Sequence, residues 1–462
     1  MKKIAVIGNG AIGSKLALDL ASKGDIEITL FGGQERRGSA SKAAGAMINV
    51  FSELEVDQFE HAGLKTKFQM GHYSLKFWGE YIQTLEEKTG IRIRTGTGCK
   101  IIKNEGTTPY ELETHNYLAG LAKDFPDDLL VNDDGIYIKS EFCIDSRAYL
   151  EALDLLIAEE PRISFVNYTN SYIFNTANDF NKSIFLSNNL GDHFGRFDNI
   201  IIAAGSFSND IIKSDQFLFG NVQPIFYGIG SALRFYNVPV NAEGDVGSGF
   251  TRTMNRGGAC GFHVVPCNGY SYFGATNSIN FIPEFDSRVE SLSILSRGLV
   301  EEFGIEYKKS PCKPIVGFRP TPLDSFPLIG KMNSCPIYFA TGTKRDGLTA
   351  SIYISDFICN QIAGAEPKDP DYYSQIDIAL FQPERELLSY FDKKVAIEKA
   401  AKNRVAGRVM HSRELMLAKD WDDAVEKETE NVANIYNKLK ITLPPSFGIH
   451  PELINMFEYS RS

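Results

Sequence analysis

Residues 3–7 read KIAVI, a short apolar run, and the next six read GNGAIG. A β-branched run of this length that stops at glycine is a buried strand. SKLALDLASKG follows with helical spacing, and IEITLF at 26–31 is a second strand. Strand, glycine turn, helix, strand is the front half of a βαβ unit, which commits this part of the chain to a parallel sheet. Gly8, Gly10 and Gly13, with Ala11 and Ile12 between them, stand where the backbone must turn tightly and approach a pyrophosphate at a helix N-terminus. The spacing predicts a dinucleotide site, and the bland alternative is a structural turn. An acid normally closes the second strand and takes the ribose hydroxyls. This chain has Gly32 there, with Glu35 three residues on as the substitute.

The chain is 462 residues long, enough for two or three domains. Its net charge of −10, with no basic stripe, argues against a nucleic-acid partner. Two lysines precede the first apolar run, but the run is too short for a signal peptide, and no stretch is long enough to span a membrane. The seven cysteines are scattered, so reduced thiols, a cytoplasmic location and no structural zinc or other metal site are expected.

Further along, LKTKFQMGHYSLKFWGEYIQTLEEKTG and DSRAYLEALDLLIAEE read as helices, the second capped by Asp145 or Ser146. Residues 216–311 alternate and read as a largely antiparallel β region closed by a helix. From 376 the chain turns charge-rich and helical. Three more segments suit a flat ligand that needs close backbone approach. They are GSASKAAGAMINVF (38–51), with Ser41, Lys42, Ala44, Gly45, Ala46 and Met47; the strand IIIAAGSFS (200–208), with Ala204 and Gly205; and VGFRPTPLDSFPLIGK (316–331) followed by ATGTKRDGLTAS (340–351). A flexible loop and ordinary core packing are the alternatives for the first two. In the last, Gly317 and Arg319 stand at an Arg-Pro turn between two strand-like runs, and Arg345, Asp346, Gly347, Leu348 and Thr349 fall at a strand-to-helix turn.

Taken in this order, the segments resemble the flavoprotein family of D-amino-acid oxidase, glycine oxidase and sarcosine oxidase, and most of all its glycine-oxidase branch. Ala40 to Gly45, Ala203 to Gly205, the G-x-R-P-x-x-x-D-x-x-P-x-I-G run from Gly317 to Gly330, and Gly342, Arg345 and Gly347 carry the resemblance, with GYSYFGAT at 269–276 beside them. It covers roughly residues 1–365 and implies an α/β Rossmann-like FAD-binding domain (1–50, 140–215 and 312–375). An interleaved, mostly antiparallel α+β substrate domain (51–139 and 216–311) would lie over it. Residues 376–462 are then a C-terminal helical extension outside the match.

The resemblance implies FAD on the residues named above and removal of hydride from the carbon beside an amine, giving an imine that hydrolyses. It implies that Arg345 pairs with the carboxylate of a small anionic amine or amino acid, which agrees with the planar donor fork of a guanidinium. Lys42 replaces the histidine, and Gly317, Phe318 and Arg319 the cysteine region, through which some relatives attach flavin, so noncovalent FAD is expected. Tyr272 replaces an oxygen-activating lysine, which leaves O2 and another electron acceptor both open. Arg319 either faces the substrate or ties its turn down. His263 reads as a base or a satisfied strand histidine, and Arg252, Asn255 and Arg256 lie in the same polar stretch. Tyr227 and Tyr270 are further donors or packing residues. Oxidation of a 2-hydroxy acid or sugar-derived alcohol, a flavin-binding subunit of a larger complex, and a homodimer stay open.

Overall fold

The computed structural model describes all residues except 57, 104–108, 134, 170–171, 176–183, 189–191, 237–247, 256–260, 413–417, 440–442 and 460–462. Arg256 thus lies outside the described residues.

The first strand, Lys2–Ile7, sits inside a six-stranded sheet ordered 328–331, 337–341, 199–202, 2–7, 26–32, 163–167. All neighbours are parallel except the edge strand Leu328–Lys331, which runs antiparallel to Ile337–Thr341. Alternate side chains serve opposite faces, as strand geometry requires. Ile4 and Val6 join a core with Leu16 and Leu20 of the helix Ala11–Ala21 and Ile352 of the helix Ser351–Ala363. Ala5 and Ile7 join Ile200, Ile202, Ile337 and Phe339 on the other face.

A second, ten-stranded sheet stands beside it. Its strand Ile225–Phe235 pairs antiparallel with Tyr270–Gly274, Ser278–Asn280 and, along its whole length, Cys312–Pro322. Residues 312–322, grouped by sequence with the dinucleotide-binding segments, therefore run in this sheet. Its register sets Gly228 against Arg319 and Gly230 against Gly317. A Cβ at Gly230 would lie 2.3 Å from Arg319 Nη1, so the bare backbone of one strand makes room for the guanidinium of the next.

Asp145 caps the helix Ser146–Glu159 by accepting from the Arg147 and Ala148 amides. The 28-residue helix Ala62–Thr89 matches its apolar spacing and ends at Gly90 in the left-handed region, where glycine carries no Cβ penalty. Residues 216–221 are helical rather than β. The helix after the turn at Arg345 to Thr349 begins at Ser351, where Ala350 provides no side-chain cap.

The C-terminal extension contains the helices Lys393–Ser412, Ala418–Asn437 and Pro451–Tyr459. Ala400, Val432, Leu453, Ile454 and Met456 bury against Phe226, Ile279 and Leu323 of the substrate-side sheet. Arg385 fixes the junction, with Nη2 donating to both oxygens of the buried Asp324 at 3.0 and 2.9 Å. Among the described residues no helix is long and apolar enough to cross a membrane.

Candidate active site

A cavity of about 870 Å³ lies between the two sheets. It is lined by Gly8, Gly10, Ala11, Ile12, Ser41, Ala44, Gly45, Ala46, Met47, Ala204, Gly205, Gly317, Arg319, Arg345, Gly347, Leu348, His263 and Tyr272. Four of the expected residues stand outside the lining. Gly13 packs the helix onto the turn, since a Cβ there would be 1.8 Å from the Gly8 carbonyl oxygen. Lys42 points away and donates to the Glu35 carbonyl at 2.6 Å. Asp346 pairs with Lys67 at 2.8 Å. Thr349 Oγ1 accepts from the Asn49 amide, and its carbonyl accepts from the Trp78 indole at 2.7 Å.

The dinucleotide end is built from backbone. Gly8 has φ +119°, and a Cβ on it would meet the Ala203 carbonyl oxygen at 2.3 Å. No other residue fits where the turn after Lys2–Ile7 comes this close to the end of the neighbouring strand Asn199–Ile202. The helix Ala11–Ala21 opens on Gly10 with Ser41 Oγ accepting from the Ala11 amide at 3.0 Å. At Gly32 a Cβ would collide with the Asn9 side chain, which fills the place of the usual acid. Glu35 lines the cavity nearby. The bare backbone cradle, the helix N-terminus aimed at it and the cavity size fit a flavin dinucleotide.

Polar groups gather at the other end. Arg319 Nη1 donates to the Thr276 carbonyl at 3.0 Å and to Asn277 Oδ1 at 3.1 Å. Among the described residues it has no carboxylate partner. Arg345 has two, Glu452 through Nη2 and Glu53 at 3.6 Å from Nη1. Lys344 Nζ reaches the same Glu452 at 2.8 Å. Asn277 Nδ2 donates to Glu452 at 3.2 Å, so one amide bridges Arg319 and the carboxylate. The orientation of that amide is forced, because a guanidinium only donates and a carboxylate only accepts.

Arg252 is fully buried behind Glu53, with Nη1 at 2.6 Å from Glu53 Oε1 and Nη2 donating to Asn255 Oδ1 at 2.6 Å. Burial works to raise the Glu53 carboxyl, but the charges of Arg252 and Arg345 outweigh it and hold the group at about 2. Glu452 is held at about 2 in the same way by Arg345 and Lys344 against burial. Arg252 and Arg345 share Glu53, and Lys344 and Arg345 share Glu452, whereas Arg319 is tied only to neutral oxygens and offers its charge to an anion in the cavity.

His263 stacks on Tyr272 with ring centroids 5.6 Å apart. Burial first and Arg252 second push its imidazole down to about 3. Its Nδ1 lies 3.2 Å from the Gly261 carbonyl, which fixes the proton there and leaves Nε2 as an acceptor. A Cβ on Gly45 would lie 3.3 Å from that Nε2 and 2.8 Å from the Tyr272 ring, so Gly45 keeps the backbone low beneath both. Tyr227 donates to Asp210 at 2.8 Å, and the Tyr270 ring lies 4.7 Å from the Arg234 guanidinium, so each is engaged in its own contact.

The sequence did not single out Glu53, Asn277, Lys344 or Glu452. Lys344 adjoins Arg345 and was within reach of that turn. Nothing local marks Glu452.

A profile of the FAD dependent oxidoreductase family matches residues 3–361. A search of curated protein sequences finds no significant match. Among solved structures, iminodiacetate oxidase from Chelativorans sp. BNC1 is similar with a TM-score of 0.64 at 17% identity, covering 83% of this chain and 100% of that one. Glycine oxidase from Geobacillus kaustophilus gives 0.63 at 17% identity, covering 84% and 100%. Fructosyl amine:oxygen oxidoreductase from Aspergillus fumigatus gives 0.58 at 14% identity, covering 81% and 91%. The glycine cradle, the cavity it lines and the family match together place this chain in the FAD-dependent oxidoreductase family.

Proposed function

We propose that this FAD-dependent enzyme oxidises the carbon beside the amine of a small amino acid or carboxylate-bearing amine, with FAD held noncovalently. The observation that carries the reading is Arg319, a cation lining the cavity and tied to neutral oxygens of Thr276 and Asn277. Its guanidinium keeps donors for a substrate carboxylate, and the bare strand at Gly230 fixes where it lies. The part expected of Arg345 passes to Arg319, because Arg345 is already held by Glu452 and Glu53. The similar structures named above act, by their names, on glycine, iminodiacetate and a fructosyl amine.

Gly8, Gly10 and the helix start at Ala11 would hold the pyrophosphate, Ser41, Ala44 to Met47 and Gly347 to Leu348 the isoalloxazine, and Glu35 the ribose. Bound FAD supplies the hydride acceptor. The chain itself binds and orients. Arg319 anchors the acid group. His263 Nε2 accepts from the substrate N–H and stays neutral, so it aligns the amine and does not retain its proton. The cations of the site favour the negative charge that accumulates on reduction.

The test is the visible spectrum of the purified protein and of its acid supernatant, then anaerobic titration with amino acids and with the matching 2-hydroxy acids. Flavin released by acid and bleached by amines supports the reading. Bleaching by hydroxy acids alone, or a protein that takes up no FAD, overturns it.

A further inference from the structure

Lys344 and Arg345 both line the cavity, yet both are turned onto one carboxylate that comes from outside the family match. Glu452 stands in the first turn of the helix Pro451–Tyr459, and its side chain is 7% exposed. The element that delivers it is firmly seated. Leu453 and Ile454 are fully buried against the extension's own core and the substrate-side sheet. The Ile449 amide donates to the Tyr436 hydroxyl at 2.7 Å just before it. Asn277 then ties Glu452 to Arg319, the group we assign to the substrate carboxylate.

Two cations beside a substrate anchor would ordinarily make a second anion site. Here the protein fills that site itself. A second substrate carboxylate would have to displace Glu452 and leave it buried without its partners, an arrangement that costs more than the new contact returns. We propose that Glu452 is a specificity-determining residue: it occupies Lys344 and Arg345 and thereby confines the substrate to a single carboxylate, bound at Arg319. The inference rests on the reading of Arg319 given above and narrows the substrate class to monocarboxylate amines.

The test is isothermal titration of the FAD-loaded full chain with acetate, malonate and succinate, ligands that do not reduce flavin. Wild type binds the dicarboxylates no tighter than acetate. In Glu452→Gln the ratio of dicarboxylate to acetate affinity rises by about tenfold or more, the scale of one charge-assisted contact. Adding Lys344→Met to that variant lowers the ratio again. A general loosening of the fold would weaken all three ligands together and leave the ratio alone. A folded Glu452→Gln chain with the wild-type ratio overturns the proposal. So does a wild type that already binds a dicarboxylate more than about tenfold tighter than acetate, and this second arm decides if the variant does not fold. Because binding is read without turnover, failure of any amine to bleach the flavin would sink the functional reading and leave these ratios standing.

Discussion

Asn9 and Gly32 share one space. A Cβ on Gly32 would stand 2.3 Å from Asn9 Cγ, and Asn9 is pinned by its Nδ2 bond to the Gly33 carbonyl at 3.1 Å and by Arg36 Nε on its own carbonyl at 2.7 Å. The acid absent from the end of the second strand is therefore a steric exchange between two positions. Gly32→Glu alone is expected to destabilise the fold by about 1–3 kcal/mol, the range for overpacking, and to weaken FAD binding. Adding Asn9→Gly restores both. Thermal unfolding with and without FAD reads the outcome, and a single variant that binds FAD as wild type does would sink the steric account.

Replacing Arg319 should separate anchoring from folding. Arg319→Met is expected to lower kcat/KM for carboxylate-bearing amines by about 10² or more, as for removal of one partner of a buried charged contact. Arg319→Lys recovers part of this, since an ammonium offers charge without the bidentate fork. Stopped-flow flavin reduction against substrate concentration measures it, and an unchanged KM would remove Arg319 from the substrate.

The imidazole of His263 is depressed from 6.5 to about 3 in the folded state. The unfolded chain therefore binds the extra proton between those values, and stability must fall as pH drops through that window. One such group contributes a slope approaching about 1.4 kcal/mol per pH unit. Denaturant unfolding of wild type and His263→Asn between pH 7 and 4 should show the shallower decline in the variant. The same low value means that activity carries no limb from His263 near neutral pH, and loss of a neutral-pH limb in His263→Asn would contradict it.

Asp324 belongs to the R-P-x-x-x-D motif, yet it faces the extension and not the cavity. It accepts from Arg385, from Gln223 Nε2 at 2.9 Å and from the Phe326 and Leu388 amides. Arg385→Met leaves that carboxylate buried without its charge partner and is expected to cost about 3–5 kcal/mol. Limited proteolysis should then cut first within the extension. Cleavage spread evenly along the chain would argue against this anchor.

Local features were legible because their causes are local. Lys2–Ile7, the glycine turn and Ala11–Ala21 follow from a run of adjacent residues, and so does the Asp145 cap. The unusual polarity of the stretch near 252 marked Arg252 and Asn255 as candidates. It did not show that Arg252 is walled off behind Glu53, because that depends on a short helical turn 199 positions away. Arg345 was found in its turn, but its partner was not. Glu452 lies 107 positions further on, in a helix whose pattern reports only an apolar side. The sequence also assigned Cys312–Pro322 to the wrong neighbours, since a strand's composition carries no record of which sheet it joins.

The order of synthesis acts on this site. Arg345 emerges 107 residues before Glu452, an interval of roughly 5–20 s at ordinary translation rates. Throughout it, the glycine cradle and its cations are already made while their last counter-ion is not. Until Glu452 is made, Lys344 and Arg345 lack the carboxylate that joins them in the folded chain. The charge balance of the site is therefore complete only once the helix Pro451–Tyr459 has folded back onto the body of the protein, so the last stretch of chain to be made finishes a site whose other parts lie far upstream.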